Sequence, residues 1–224
     1  MSTTPPPRPR TRLYLITPPQ VTDVAAFAAT LDAALSAGDV ASLQLRLKGA
    51  DGMIDMQATR ELGRAVTSLA QEAGVAVLVN DSAELAKELG ADGVHVGWDD
   101  MPVKTARSLL GPDAIVGATA KNSYHKAMQA GEDGADYVAF GAFYPTRTKE
   151  GTVPAEIELL QVWQAAMVIP CVAIGGITVD NAAPLVTAGA DFLAVSSGVW
   201  EHVEGPAAAV RAFNHLFDRL DEGA

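Results

Sequence analysis

Gly90–Gly97 reads GADGVHVG, and the pattern returns as GADYVAFG at Gly134–Gly141 and as GADFLAVS at Gly189–Ser196. Each copy closes a stretch of helical period and opens an apolar run. Glycine suits the left-handed conformation at a helix C-terminus, and aspartate suits the turn that follows. The three copies therefore indicate repeated helix–turn–strand units, with the aspartates at the end of the sheet where strands begin.

Short apolar or β-branched runs alternate with longer helical stretches along the rest of the chain, a pattern typical of βα units around a parallel sheet. Eight strands are predicted, at Leu13–Thr17, Ser42–Lys48, Val75–Asn80, Gly93–Gly97, Ile115–Thr119, Tyr137–Gly141, Cys171–Gly175 and Phe192–Ser196. No polar linker divides them. We therefore expect an α/β protein with a single (β/α)8 TIM barrel at 13–222, after a flexible N-terminal tail at 1–12.

Composition narrows the function classes. Of 224 residues 49% are hydrophobic, and 16 Lys and Arg stand against 27 Asp and Glu, for a net charge of -11. This balance disfavours broad binding to nucleic acid or to an anionic membrane. The apolar stretch after the tail is too short for a signal peptide or a membrane span. We expect a cytoplasmic protein, and a homo-oligomer is left open.

The single cysteine, Cys171, lies in an apolar run. It excludes a disulfide within the chain, and an inert buried thiol is favoured over a nucleophile.

The second predicted strand carries two cations toward the end of the barrel where reactive groups gather. Its alternation places three leucines on one face and Gln44, Arg46 and Lys48 on the other. Unpaired cations inside a barrel are costly, so Arg46 and Lys48 need an anionic partner. A bound phosphate is favoured over a structural ion-pair network.

Carboxylates follow the next two strands. Asp81 ends the third and Asp100 follows the fourth. Adjacent carboxylates suit Mg2+ bridged to substrate phosphate oxygens. The alternative is that both residues cap helices.

A polar loop after the sixth strand contains Thr146, Thr148 and Lys149. Two hydroxyls and a mobile cation suit an oxyanion, although an exposed polar loop is the alternative.

The seventh strand ends in Gly175-Gly176 and the eighth in Ser196-Ser197. Glycines at this corner of a barrel let backbone N–H groups approach a phosphate closely. These residues indicate a phosphomonoester site but no particular reaction.

His95 alternates with Val94 and Val96 and is predicted to face the barrel interior. A hydrogen-bonded core histidine is favoured over a catalytic one. The other three histidines show no metal-ligand spacing.

Taken together, these segments resemble the thiamine-phosphate synthase family over roughly 13–200. The matching segments are Gln44–Lys48, Asn80–Asp81, Ala91–Gly97, Gly134–Tyr137, Tyr144–Lys149, Ala173–Ile177 and Gly189–Asp191. The resemblance implies a (β/α)8 barrel that joins hydroxymethylpyrimidine pyrophosphate to a thiazole phosphate with Mg2+, giving thiamine phosphate and pyrophosphate. Pyrophosphate leaves first in this reaction, and the thiazole nitrogen captures the pyrimidine cation.

The resemblance also implies roles for individual residues. It assigns Arg46, Lys48 and Lys149 to the pyrophosphate, Asp81 and Asp100 to the metal, Gln44 and Asn80 to the pyrimidine, and Thr146, Thr148, Gly176 and Ser197 to the thiazole phosphate.

The chain departs from the family pattern around the implied pyrophosphate site. Ser82 stands where Arg is common, and Trp98 where Gln is frequent. Gly117–Lys121, GATAK, replaces the usual Gly-x-Ser-x-His. Within it Thr119 keeps a hydroxyl, and Lys121 is a candidate to replace the charge of the missing Arg.

Two other functions remain as alternatives. One is a thiazole tautomerase on the same barrel, which needs no pyrophosphate site and would leave the charged groups without a purpose. The other is a non-catalytic barrel that binds a phosphorylated metabolite.

Overall fold

The computed structural model describes residues 8–49, 51–146 and 154–223. Eight parallel strands form a closed barrel in chain order, with the last strand paired to the first. The strands are β1 Arg12–Ile16, β2 Val40–Leu45, β3 Ala76–Asn80, β4 Gly93–Val96, β5 Ile115–Lys121, β6 Tyr137–Gly141, β7 Cys171–Ile174 and β8 Phe192–Val195. The predicted (β/α)8 barrel is confirmed.

Helices follow the strands and cover the outside of the barrel. They are α1 Val24–Leu35, α2 Met56–Glu72, α3 Ala83–Leu89, α4 Val103–Leu110, α5 Tyr124–Glu132, α6 Glu158–Ala166, α7 Ala183–Ala188, α8 Ser197–Trp200 and α9 Pro206–Asp221, with a 3-10 turn at Val179–Asn181. Within the described ranges, no helix has the length and apolar character needed to cross a membrane.

The predicted strands differ from the observed ones mainly at β2. The prediction carried it to Lys48, but the strand ends at Leu45. Beyond that point the chain turns: the Lys48 N–H donates to Pro19 O at 2.7 Å, and Lys48 forms an antiparallel bridge with Ile54. Lys48 therefore lies in a loop after the strand.

Alternation along the strands divides the apolar residues into two cores. Leu13, Leu43 and Val94 face outward and belong to a large core with the helices. Tyr14 and Tyr137 face inward and belong to a smaller core inside the barrel. The inner core closes the barrel interior, so that the polar inward residues lie toward the strand ends.

The three aspartates of the repeated pattern join neighbouring strands where they begin. Each carboxylate accepts a backbone N–H from the preceding strand. The bonds are Val77 to Asp92 at 2.7 Å, Val116 to Asp136 at 2.7 Å and Cys171 to Asp191 at 2.8 Å. Their positions at the bottom of the barrel match the predicted structural role.

The N-terminal segment requires a correction to the expected tail. β1 begins at Arg12, and the residues from Arg8 onward contact the barrel. Thr11 Oγ1 donates to Ala190 O at 2.7 Å, and Arg10 pairs with Asp218 at 2.7 Å. The partners lie far along the chain, so the sequence pattern gave no sign of these contacts. Residues 1–7 of the predicted tail lie outside the described residues.

Candidate active site

A cavity of about 360 Å³ opens at the C-terminal ends of the strands. Most residues selected from the sequence line it: Gln44, Arg46, Asn80, Asp81, Asp100, Thr119, Thr146, Gly175, Gly176, Ser196 and Ser197. Among the described residues, Lys48 is not part of the cavity wall. Thr148 and Lys149 lie outside the described residues.

Arg46 supplies a half-buried cation on this wall. Its backbone N–H donates to the Thr17 hydroxyl at 2.8 Å, which attaches the chain after β2 to the end of β1. Burial lowers the pKa of the guanidinium, while the charges of Asp81 and Asp100 oppose that effect. An arginine stays protonated despite such a shift, so the wall holds a permanent cation beside two carboxylates.

Asp81 is held in an unusual conformation at the end of β3. Its φ is 59, in the left-handed region that a non-glycine residue seldom adopts. The backbone is held by the bond from Asp81 N–H to His95 O at 2.8 Å, and Oδ1 accepts the Gly97 N–H at 3.1 Å. Burial raises the pKa of Asp81, opposed by the Gly97 N–H. These bonds direct the carboxylate toward the cavity.

Gly97 leaves space in which the two carboxylates approach each other. A Cβ at this position would overlap Asp100 Oδ2 and would lie 3.8 Å from Asp81 Oδ1. Asp100 itself is exposed at the rim of the cavity. The absence of a side chain at residue 97 therefore lets both carboxylates face one region.

Helix capping does not account for either carboxylate. Ser82 is the N-cap of α3, and its Oγ accepts the Leu85 N–H at 3.1 Å. Pro102 precedes α4 and makes no side-chain cap bond. The alternative that Asp81 and Asp100 cap helices is thus wrong. Ser82, which stands where arginine is common in the family, has the role of capping α3.

The two carboxylates suit a hard cation that is completed by other ligands. In the described part of the chain, no group of three or more His, Cys, Asp or Glu side chains is arranged so that it could hold a metal ion by itself. Mg2+ commonly takes one or two carboxylates together with substrate phosphate oxygens and waters. The carboxylates of Asp81 and Asp100 therefore fit Mg2+, whose remaining ligands would come from substrate phosphate oxygens and water.

Polar side chains form the floor of the cavity. Gln44 Nε2 donates to Asn80 Oδ1 at 2.5 Å, and Asn80 Nδ2 donates to Asp81 Oδ2. On its other side, Gln44 Oε1 accepts the Tyr14 hydroxyl at 3.0 Å. Both amides are buried, so these bonds fix their orientation in a place where unpaired polar groups would be costly.

His95 is a buried histidine whose two ring nitrogens both have hydrogen-bond partners, and it also lines the cavity. Its Nδ1 lies 2.8 Å from the Tyr137 hydroxyl, and its Nε2 lies 2.7 Å from Thr119 Oγ1. The imidazole stacks on the Tyr137 ring. The hydrogen-bonded reading favoured from the sequence agrees with these contacts, and the ring also borders the cavity.

The glycine and serine corner lies across the cavity, at the ends of β7 and β8. Gly175 and Gly176 have φ of 104 and 63, and a Cβ at either position would meet the loop after β6. Ser196 Oγ donates to Thr17 O at 3.1 Å, so the proton of that hydroxyl is already used in a bond that joins the ends of β8 and β1. Ser197 is exposed to the cavity mouth, which makes it the better placed hydroxyl for a ligand.

Lys121 contributes a second cation to the wall. It ends β5 with a φ of 55, and its Nζ lies 2.9 Å from the carboxylate of Asp99. The pairing of β5 with β6 shifts register between Thr119 and Lys121, so both residues reach the cavity.

Sequence reasoning missed several residues that organise this site. Thr17 joins the ends of β1, β2 and β8, and the hydroxyls of Tyr14 and Tyr137 meet at 2.9 Å beneath the cavity. The available signal was inward alternation of Tyr14 with Ile16 on β1. Aromatic residues in apolar strands are ordinarily core, so that signal was weak.

Comparisons with known proteins agree with this geometry. The family model described as thiamine monophosphate synthase matches residues 13–199. A thiamine-phosphate synthase of Hyphomonas neptunium is 81% identical over 98% of this chain and 100% of its own length. One from Rhodospirillum centenum is 58% identical over 92% of this chain and 97% of its own.

A solved structure gives the same result. The thiamine phosphate pyrophosphorylase of Pyrococcus furiosus superposes with a TM-score of 0.78 at 30% identity, covering 93% of this chain and 96% of that one. The eight-stranded barrel, the polar cavity at its strand ends and these matches across nearly the whole chain lead to one assignment. The chain belongs to the thiamine monophosphate synthase family.

Proposed function

We propose that this protein is a thiamine-phosphate synthase, which joins hydroxymethylpyrimidine pyrophosphate to a thiazole phosphate and releases pyrophosphate. The observation that carries the proposal is the meeting of Arg46, Asp81 and Asp100 on the wall of one cavity, opposite the glycine and serine corner. A single phosphomonoester would need that corner alone. The paired carboxylates and their cation suit a second, more highly charged group.

The carboxylates of Asp81 and Asp100 would hold Mg2+. When bound, the ion would neutralise charge on the departing pyrophosphate and help to place it. The guanidinium of Arg46 is permanently charged and can donate two parallel hydrogen bonds to phosphate oxygens. Lys48, in the loop after β2, and Lys149, which follows β6 in the sequence, are proposed to add cations.

The reaction breaks the bond between the pyrimidine methylene carbon and the pyrophosphate oxygen, and forms a bond from that carbon to the thiazole nitrogen. Gln44 and Asn80 are proposed to hold the pyrimidine on the cavity floor. Thr119 borders the same cavity and contributes a hydroxyl oxygen. Holding the two reactants in line and stabilising the leaving charge are the two tasks of the site.

The second substrate is proposed to bind through its phosphate at the opposite corner. Thr146 and Ser197 offer hydroxyls, and Gly176 lets the backbone approach the phosphate closely. Gly175 and Ser196 shape the same corner, and Thr148 is proposed to join it. The pyrophosphate of one substrate and the phosphate of the other would then bind on opposite sides of the cavity and orient the two substrates for the transfer.

The described residues do not favour covalent catalysis by the only thiol. Cys171 lies on the outward face of β7, and burial raises its pKa to about 12. A thiol in that state is a poor nucleophile. A reaction without a covalent intermediate on Cys171 therefore agrees better with the site.

A product assay tests the proposed function. Purified protein is mixed with both substrates and Mg2+, and thiamine phosphate and pyrophosphate are measured. Equal amounts of the two products are expected. Absence of both would refute the proposal, and isomerisation of a thiazole carboxylate phosphate alone would identify a tautomerase. Tight binding of a phosphorylated ligand without turnover would identify a non-catalytic barrel.

A further inference from the structure

An unbroken chain of hydrogen bonds crosses the barrel beneath the cavity. It runs through Asp81, Asn80, Gln44, Tyr14, Tyr137, His95 and Thr119. The first and last members lie on the ends of β3 and β5, and both line the cavity. Among the described residues, Tyr14 and Tyr137 are not part of the cavity wall. They can therefore affect a bound substrate only through the other residues of the hydrogen-bond chain.

The direction of the first bonds follows from the two side-chain amides. Asn80 Nδ2 donates to Asp81 Oδ2, so the NH2 group of Asn80 faces Asp81. The Asn80 oxygen then faces Gln44, which must turn its own NH2 group toward Asn80. This leaves the Gln44 oxygen facing Tyr14, 3.0 Å from the hydroxyl, and Tyr14 must donate its single proton there.

The tyrosines transmit this direction to the imidazole. Burial raises the pKa of both phenols, so each hydroxyl keeps one proton and donates once. Because Tyr14 donates to Gln44, Tyr137 must donate to Tyr14 across their 2.9 Å contact. The Tyr137 oxygen must then accept from His95, whose Nδ1 lies 2.8 Å away. This bond places the imidazole proton on Nδ1 and leaves Nε2 as an acceptor.

We propose that this chain makes Thr119 a fixed hydrogen-bond acceptor toward the substrate, with Tyr14 and Tyr137 as positioning residues. Thr119 Oγ1 lies 2.7 Å from Nε2 of His95, and because that nitrogen is the acceptor, the threonine hydroxyl donates its proton to it. Its oxygen then has only lone pairs to offer the cavity. The site therefore selects a heterocycle that carries an N–H donor at this point and disfavours one that carries an oxo group.

The space for this arrangement is built into β5. A Cβ on Gly117 would overlap the hydroxyl end of the Tyr137 ring. Glycine at 117 thus lets the phenol reach both Tyr14 and His95, although its φ does not require glycine. The substrate class rests on the proposed function, whereas the direction of the hydrogen bonds does not.

The direct test is 15N NMR of histidine-labelled protein without substrate at neutral pH. The His95 signals are assigned by their loss in His95→Gln. A protonated Nδ1 and an unprotonated Nε2 are expected, which is the reverse of the tautomer that free histidine prefers. Protonation at Nε2, alone or together with Nδ1, overturns the proposal. This measurement needs no active enzyme, so failure of the proposed function leaves its outcome readable.

Tyr137→Phe tests the transmission, with Tyr124→Phe on the outside of the barrel as the matched control. Loss of the Tyr137 hydroxyl is expected to release the His95 proton, so that an Nε2–H signal appears in this variant and not in the control. Unchanged His95 nitrogens in a folded Tyr137→Phe protein would overturn the proposal. Tyr14→Phe provides a second break in the chain if Tyr137→Phe does not fold.

Kinetics separate positioning from general damage. For Tyr137→Phe we expect the KM of the pyrimidine pyrophosphate to rise by about tenfold, the equivalent of one hydrogen bond, while the KM of the thiazole phosphate is unchanged. A pyrimidine analogue with an oxo group where the ring would carry the N–H donor should penalise the wild-type protein more than Tyr137→Phe. Equal penalties in both proteins would contradict a fixed acceptor at Thr119.

Discussion

Adding a methyl group at Gly97 is expected to raise the Mg2+ concentration that the enzyme requires. A Cβ at this position would overlap Asp100 Oδ2 and lie 3.2 Å from Asp100 Cγ, but only in ordinary contact with Asp81 Oδ1 at 3.8 Å. The backbone of Gly97 has no positive φ, so alanine imposes no strain there. Gly97→Ala should therefore displace one carboxylate of the proposed metal pair and spare the other.

The expected magnitude follows from the role of Asp100. Disturbing a residue that supports a metal ligand typically reduces metal affinity by about 10–100-fold, equivalent to roughly 1.4–2.8 kcal/mol. The free energy of unfolding should change by less than about 1 kcal/mol, the low end of the cost of overpacking, because exposed Asp100 can rotate away. Gly97→Ala is thus expected to weaken metal binding while leaving the free energy of unfolding nearly unchanged.

The assay measures the initial rate against Mg2+ concentration, together with urea unfolding. Gly131→Ala on α5 is the matched control, because its new methyl would meet only the flexible end of Ile169 and lies outside the cavity wall. It should leave the Mg2+ requirement unchanged. An unaltered Mg2+ requirement in folded Gly97→Ala would refute the claim that Asp100 binds the metal.

Three further predictions concern the cavity rim, the barrel bottom and the thiol. Lys121→Ala is expected to raise the KM of the pyrimidine pyrophosphate by about tenfold, the cost of one charge-assisted bond, since its cation can leave Asp99 for a phosphate; an unchanged KM would count against this. Asp39→Asn should lower the free energy of unfolding by about 0.5 kcal/mol at pH 7, because the Arg12 guanidinium lowers the pKa of Asp39 and both groups are partly exposed. The pKa of Asp39 is lower in the folded state than the unfolded value of 3.8, so the carboxylate contributes its full stability above pH 3.8. The difference between the two proteins should shrink in acid unfolding curves below that pH and vanish below the lowered folded-state pKa; a constant difference would contradict this. Cys171, with a pKa of about 12, should react with a thiol reagent only on unfolding, and rapid labelling of native protein would disprove its burial.

The fold was predictable because its signal is local and repeated. Alternation and the Gly-Ala-Asp pattern located all eight strands of the barrel, and the observed bounds of β6 are the predicted ones. The end of β2 was not predictable, because the contact of Lys48 with Pro19 forms between two loops. The attachment of Arg10 to Asp218 likewise depends on a partner more than 200 residues away.

Much of the candidate site was predictable for a related reason. Charged and small residues at strand ends of a parallel barrel converge at one end, which located Arg46, Asp81 and Gly176. The hydroxyls of Tyr14 and Tyr137 could not be anticipated, since their effect depends on which way each hydrogen bond points. That direction is a property of the assembled chain of contacts and of no single residue.

The most direct test of the account is calorimetric binding of pyrophosphate to the purified protein with and without Mg2+. The wild-type protein is expected to bind pyrophosphate much more tightly with Mg2+, and Asp81→Asn and Asp100→Asn should each remove most of that Mg2+ dependence while still folding. Mg2+-dependent binding of equal strength in wild type and both variants would contradict the proposed metal and pyrophosphate site.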